Sequence, residues 1–281
     1  MTRLARSLAL LSVALTACNV QISSPGTIGD GTGSGTTRLP APEGLLSVSL
    51  DGAVQLSWSN KVVTAHASTF KHYRVYSSSY DATTSRCNES AWTIEGTTVS
   101  DGFLAGNLRN GVSRCFAVTS VARDDGEGAR GSARVDTPRH GGRFVLVDAY
   151  ESRPTTAGWL FYEASSGRVA VVSDGARSDL DFRVERHADG SLWFRPIRTA
   201  NRVAVFGNTP IPDLTVLDRA PASGYSFANV EALAGFAYVF SVQQPDGVHF
   251  GAVRVAYVGR DYVVLDWAYQ SAVNNTELYR M

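Results

Sequence analysis

The sequence predicts an all-β protein of two antiparallel domains, a β-sandwich followed by a second sandwich or barrel, behind an export leader and a flexible linker. Three observations predict it. Apolar and polar residues alternate in short runs, as in Val54-Gln55-Leu56-Ser57-Trp58, where Val54, Leu56 and Trp58 share one face of a strand. Turn formers such as Asp51-Gly52, Asp189-Gly190 and Asp246-Gly247 punctuate those runs. Long helical periodicity is absent, apart from a short helical turn expected near Val230 to Ala234.

Residues 1–17 carry a positive head, Arg3 and Arg6, and an apolar run from Leu8 to Leu15 too short for a stable transmembrane helix. This is the pattern of a secretory signal. The run Leu15-Thr16-Ala17-Cys18 resembles the bacterial lipobox, which implies cleavage before Cys18 and a diacylglycerol on its sulfur. Asn19 follows the cysteine where an inner-membrane retention signal would have Asp, so the resemblance implies the outer membrane of a two-membrane host. The full chain carries 26 basic and 26 acidic residues, and loss of Arg3 and Arg6 leaves a net charge of −2. No electrostatic case for a nucleic-acid partner follows. The expected partners are the membrane, through the lipid, and an envelope protein or glycan.

Residues 18–40 are the lipidated cysteine and a Gly/Ser/Thr-rich stretch with too little apolar surface to fold. As a flexible chain this linker spans about 25 Å. Its glycines neither follow a strand nor precede a Gly-Lys-Ser/Thr, so they do not form a phosphate loop.

Residues 41–138 form the first domain. After the Val54–Trp58 strand come Phe70–Tyr76 and Cys115–Val121, the latter closed by Asp124-Asp125-Gly126. Pro42-Glu43-Gly44-Leu45, the strand ending at Trp58, Tyr73-Arg74-Val75-Tyr76 and Phe116-Ala117-Val118-Thr119 together resemble a fibronectin type III domain, covering about a third of the chain. The resemblance implies a spacer or binding module; Arg114 stands where that family more often has tyrosine. With Cys18 lipidated, Cys87 and Cys115 remain, and an oxidising compartment pairs them. If Phe116 and Val118 face inward, Cys115 faces outward, predicting a disulfide on the outer surface of its sheet.

The run Pro138–Gly142 marks the boundary, and residues 142–281 form the second domain, of eight to ten strands. Asp189-Gly190 predicts a hairpin between Phe182-Arg183-Val184 and Leu192-Trp193-Phe194, and Asp246-Gly247 one between Tyr238-Val239-Phe240 and Val253-Arg254-Val255. The runs from Asp181 to His187, from Val258 to Val263 and from Asp266 to Gln270 resemble C-terminal domains of uncharacterised exported bacterial proteins, which implies no activity. A fainter resemblance, in the aromatic strand around Phe161 and in Ser178–Phe182, is to secreted haem-binding lipoproteins.

Neither Gly-x-Ser-x-Gly nor His-Glu-x-x-His occurs, so no catalytic residue is assigned; a hydrolase with unrecognised machinery is the alternative. No metal ligand set and no cofactor are assigned. His187 and His249 are the paired histidines of the second domain and the candidates for a haem reading, while His66, His72 and His140 stand singly. Trp159 and Trp193 are expected to present exposed rings for a protein or glycan, with His249 beside them.

Overall fold

Period-two alternation becomes strand register throughout the chain. In the computed structural model, which describes residues 36–279, the first half forms β1 (Leu46–Leu50), β2 (Ala53–Ser57), β3 (Phe70–Asp81), β4 (Arg86–Cys87), β5 (Thr93–Thr98), β6 (Gly102–Ala105), β7 (Arg114–Ala122) and β8 (Arg134–Asp136). One sheet has the order β1-β2-β6, and the facing sheet β4-β3-β7-β8 with β5 also on β3. Val54 and Leu56 from β2 and Trp58 just after it meet Tyr73, Val75, Phe116 and Val118 between the sheets. Trp58 and Tyr73 meet edge to face with ring centroids 5.3 Å apart. Each such buried side chain contributes about 1.5–3 kcal/mol. One helical turn, Lys61–Ala65, joins β2 to β3.

Cys87 and Cys115 are bonded. Cys115 lies on the opposite face from Phe116, as alternation requires, but it is fully buried rather than at the surface. The reason is local: its strand is paired on both sides, to Ser78 of β3 and Val135 of β8, and the bond draws β4 over it. The body also begins before residue 41. Leu39 enters the first core, the Thr37 N–H donates to Asp124, and glycines at 126 and 128 let the 36–39 backbone pass where a β-carbon would collide. The leader, Cys18 and the linker up to residue 35 lie outside the described residues.

The second half forms β9 (His140–Asp148), β10 (Gly158–Glu163), β11 (Arg168–Ser173), β12 (Phe182–Arg186), β13 (Leu192–Pro196), β14 (Arg202–Phe206), β15 (Val230–Glu231), β16 (Ala237–Gln244), β17 (Gly247–Val258) and β18 (Tyr262–Gln270). The orders β11-β10-β12-β13-β15 and β14-β16-β17-β18-β9 make two antiparallel sheets, so this half is a sandwich and not a barrel. Both expected hairpins form: β12 pairs with β13, and β16 with β17. The expected helical turn near residue 230 is instead the short edge strand β15, because Val230 and Glu231 pair with Phe194 and Trp193.

The core between these sheets is aromatic, with Trp159, Phe161, Phe182, Phe194, Tyr238 and Phe240 in mutual ring contact. The outer face of the sheet containing β16 is covered by Leu214 and Leu217 from the long β14–β15 connection and by Leu278 from the segment after β18. A polar cluster ties the two sheets. Asp181, fully buried, accepts from the Phe161 N–H and from Asn201 Nδ2 at 2.8 Å, while Asn201 Oδ1 accepts from the Gln243 N–H at 3.0 Å. Burial pushes the Asp181 carboxyl up to about 6 despite Arg198 at 3.6 Å.

The chain around the boundary between the two halves is buried. Asp136, Thr137 and Arg139 are essentially inaccessible, and both halves belong to one compact unit. The Arg139 N–H donates to the Leu50 carbonyl of the first sandwich. Its guanidinium donates to the Leu278 and His140 carbonyls and lies 3.6 Å from the centroid of the Tyr279 ring. Thr137 donates to Glu277, and Gln270 Nε2 donates to the Thr137 and Glu277 carbonyls. Gly111 of the first sandwich sits so close to Ser271 that a β-carbon there would collide with it.

Candidate binding site

Four segments distant in sequence converge at the end of the second sandwich, beside the junction. They are the first residue of β9, the β10–β11 turn, the β16–β17 hairpin and the end of β18. Together they enclose a pocket of about 410 Å³, within the range of about 300–1,000 Å³ usual for small-ligand sites.

Strand register explains the convergence. Tyr269 of β18 lies directly opposite His140 of β9, and their rings stack at 6.5 Å. Tyr162, a half-buried residue of β10, stacks almost parallel to Tyr269 at 6.3 Å. His249 enters from β17, 5.8 Å from the Tyr269 ring. The turn joining β16 to β17 is Pro245-Asp246, since Gln244 already pairs with Gly247, and it holds Asp246 Oδ1 3.0 Å from His249 Nε2. The Tyr269 phenol is pushed up by burial, which favours its neutral form.

Gln244 is the last inward-facing residue of β16, following Tyr238, Phe240 and Val242. It is almost fully buried and lines the pocket, and its Nε2 has no hydrogen-bond partner among the described residues. A buried donor left unpaired costs about 1–3 kcal/mol.

Ser271, His249 and Asp246 all line this space, a residue set that invites comparison with a hydrolytic triad. The geometry does not relay a proton. His249 has the Asp246 carboxylate at Nε2 and the Gln270 carbonyl at Nδ1, 3.3 Å away, so neither ring nitrogen is turned to Ser271. Among the described residues no three His, Cys, Asp or Glu side chains are grouped to hold a metal ion.

The residues expected from sequence divide. His249 lines the pocket. Trp159 does not present a ring: it is fully buried, because β10 turns Trp159 and Phe161 inward and it is Tyr162 that faces the pocket. Trp193 is half-buried on the outer face of β13, stacked on His187 at 4.5 Å with its indole N–H donating to Ser191. The structure therefore brings His249 together with His140 rather than with His187, and no shared ligation by His187 and His249 forms. Sequence reading passed over His140, Tyr162, Gln244 and Tyr269 as site residues. One signal was legible: a glutamine in the inward phase of an otherwise apolar strand.

No family model and no curated protein matches the chain. Among solved structures it is similar to the crystal structure of FN3tt, with 20% identity and TM-score 0.28, over 36% of this chain and 96% of the other. It is similar to the third fibronectin III domain of human KIAA0343 protein, with 19% identity and TM-score 0.32, over 42% and 97%. A DUF4466 family protein from Parabacteroides merdae shares 9% identity at TM-score 0.39, over 79% and 93%. Likenesses this distant carry no argument about this chain. The strand order of the first sandwich is itself fibronectin type III-like, and the whole is an all-β pair of sandwiches with a pocket beside their junction.

Proposed function

We propose that this protein is a non-catalytic binding module of the cell envelope, exported and lipid-anchored at Cys18, that takes its ligand in the pocket beside the junction. The observation that carries the reading is Gln244. A buried amide nitrogen without a partner, in a pocket walled by tyrosines, is a donor that a ligand would satisfy. The lipobox-like Leu15-Thr16-Ala17-Cys18 supports the anchor, and the Cys87–Cys115 disulfide fits an oxidising compartment. No helix of the described residues is long and apolar enough to cross a membrane. A glycan is the favoured ligand over a flat protein surface, because the site is concave and small. The outer membrane is the proposed destination in a two-membrane host.

Two measurements test this. Intact mass of the mature protein from its native host should show a diacylglycerol increment that Cys18→Ser lacks, together with a two-hydrogen gain on reduction; an unlipidated mass overturns the anchor. Calorimetric titration of the mature chain with soluble glycans and peptides should give binding that Ala164→Trp, which fills the mouth of the pocket from an exposed turn, abolishes. Binding that Ala164→Trp leaves unchanged overturns the pocket as the site.

A further inference from the structure

The pocket lining contains no lysine or arginine to meet an anion, and its one carboxylate, Asp246, is engaged by His249. Apart from the second oxygen of the largely exposed Asp246 carboxylate, what it leaves unengaged is neutral. Gln244 Nε2 is one such donor. A second N–H donor is fixed by the first sandwich.

Asn110 lies at that sandwich's end of the junction. Its Oδ1 accepts from the Gly52 N–H at 2.8 Å, which settles the direction of the amide. Its Nδ2 donates to Asp51 Oδ1 at 2.6 Å and reaches His140 Nδ1 at 3.0 Å. An amide nitrogen can only donate, so Nδ1 of His140 accepts, and the neutral ring carries its proton on Nε2. Burial, with Arg139 adding to it, lowers the His140 pKa against the opposing pull of Asp51, favouring that neutral ring. Nε2 of His140 has no protein partner among the described residues.

Two N–H donors, no lysine or arginine, a single carboxylate already paired to His249 and a half-buried tyrosine face suit one chemical class. We infer that the pocket binds an uncharged, hydroxyl-rich ring of monosaccharide to disaccharide size, stacked on Tyr162 and held by Gln244 Nε2 and His140 Nε2, with Asn110 as the positioning residue that sets the His140 tautomer. This rests on the pocket being the binding site. It gives the fibronectin-like sandwich a part in recognition, since the residue that orients a donor belongs to it.

The test uses the mature chain and three methyl glycosides: a neutral hexoside, the corresponding uronic acid and the corresponding amino sugar. The neutral glycoside should bind at least tenfold more tightly than either charged counterpart. Gln244→Leu should weaken it at least tenfold while melting at or above the parent temperature, because that change removes an unpaired buried donor. A merely structural glutamine would not separate the two readouts. Tyr162→Ala, at a half-buried position, should weaken binding similarly. Without any ligand, the ring nitrogen resonances of His140 should show Nε2–H, and Asn110→Ala should mix the tautomers and weaken binding several-fold. Tighter binding of a charged glycoside, or an Nδ1–H His140, overturns the proposed chemistry even where Ala164→Trp still blocks binding. Binding indifferent to Ala164→Trp overturns the pocket itself.

Discussion

The two sandwiches reach stability by different means. The first has eight strands, several of only two to five residues, and closes an edge covalently: the Cys87–Cys115 bond ties β4 to β7 across 28 residues. The second has no cysteine and holds its sheets with a wider aromatic core and the buried Asp181–Asn201 pair, which the Gln243 N–H joins. Its outer loops are tied down in turn, with Arg198 donating to Asp179 and Gln243 carbonyls. A small core gains most from a cross-link that restricts the unfolded chain. A larger one can bury charge and polar groups, provided they are hydrogen-bonded. The segment between them is part of both, and it is there that the pocket lies.

That contrast can be broken first at Arg139. Arg139→Ala strips the donor from the buried Leu278 carbonyl and the half-buried His140 carbonyl and leaves a cavity against Tyr279, and should cost about 4–5 kcal/mol. In a urea melt followed by tryptophan fluorescence, the single transition expected of the parent should split into two, one for each sandwich. Removing the disulfide by the paired change Cys87→Ser and Cys115→Ser should cost about 3–4 kcal/mol on the chain-entropy argument, and calorimetry should place the loss in the first sandwich alone.

The second sandwich responds to pH instead. With the folded Asp181 carboxyl raised to about 6 against an ordinary 3.8, the native state holds its proton more tightly than the unfolded chain does. The stability this group contributes is full below pH 3.8 and is lost as pH rises through 6, a swing of about 3 kcal/mol. The parent should therefore gain on Asp181→Asn as pH falls across that window, read as the difference between their urea midpoints at pH 7 and pH 4. A constant difference would contradict it. The smallest effect is expected at the surface: Trp193→Ala loses the His187 stack, about 1 kcal/mol, and should leave binding of a pocket ligand unchanged in the same titration.

The fold was legible because alternation and turn chemistry are local. Val54, Leu56 and Trp58 share the buried face that their spacing requires, and the hairpins at Asp189-Gly190 and near Asp246-Gly247 form between the expected strands. Leu39 was not legible as a core residue, because its neighbours are those of a flexible linker and its burial depends on distant glycines. Trp159 and Trp193 lie in one sheet and are separated only by which of its faces is covered. The site was least legible of all. His140, Tyr162, Gln244 and Tyr269 come together through the pairing of β9 with β18 and the facing of two sheets, relations that no single stretch of sequence states. His140 looked solitary because its partner Asn110 lies in the other sandwich.

The two sandwiches form one compact body, and their junction shapes the pocket. Residual dipolar couplings of the backbone amides in the mature, isotopically labelled protein test it most directly. Couplings from residues 46–136 and from residues 140–270 should fit one alignment tensor, and Arg139→Ala should separate them into two. Two independent tensors in the parent protein would contradict it.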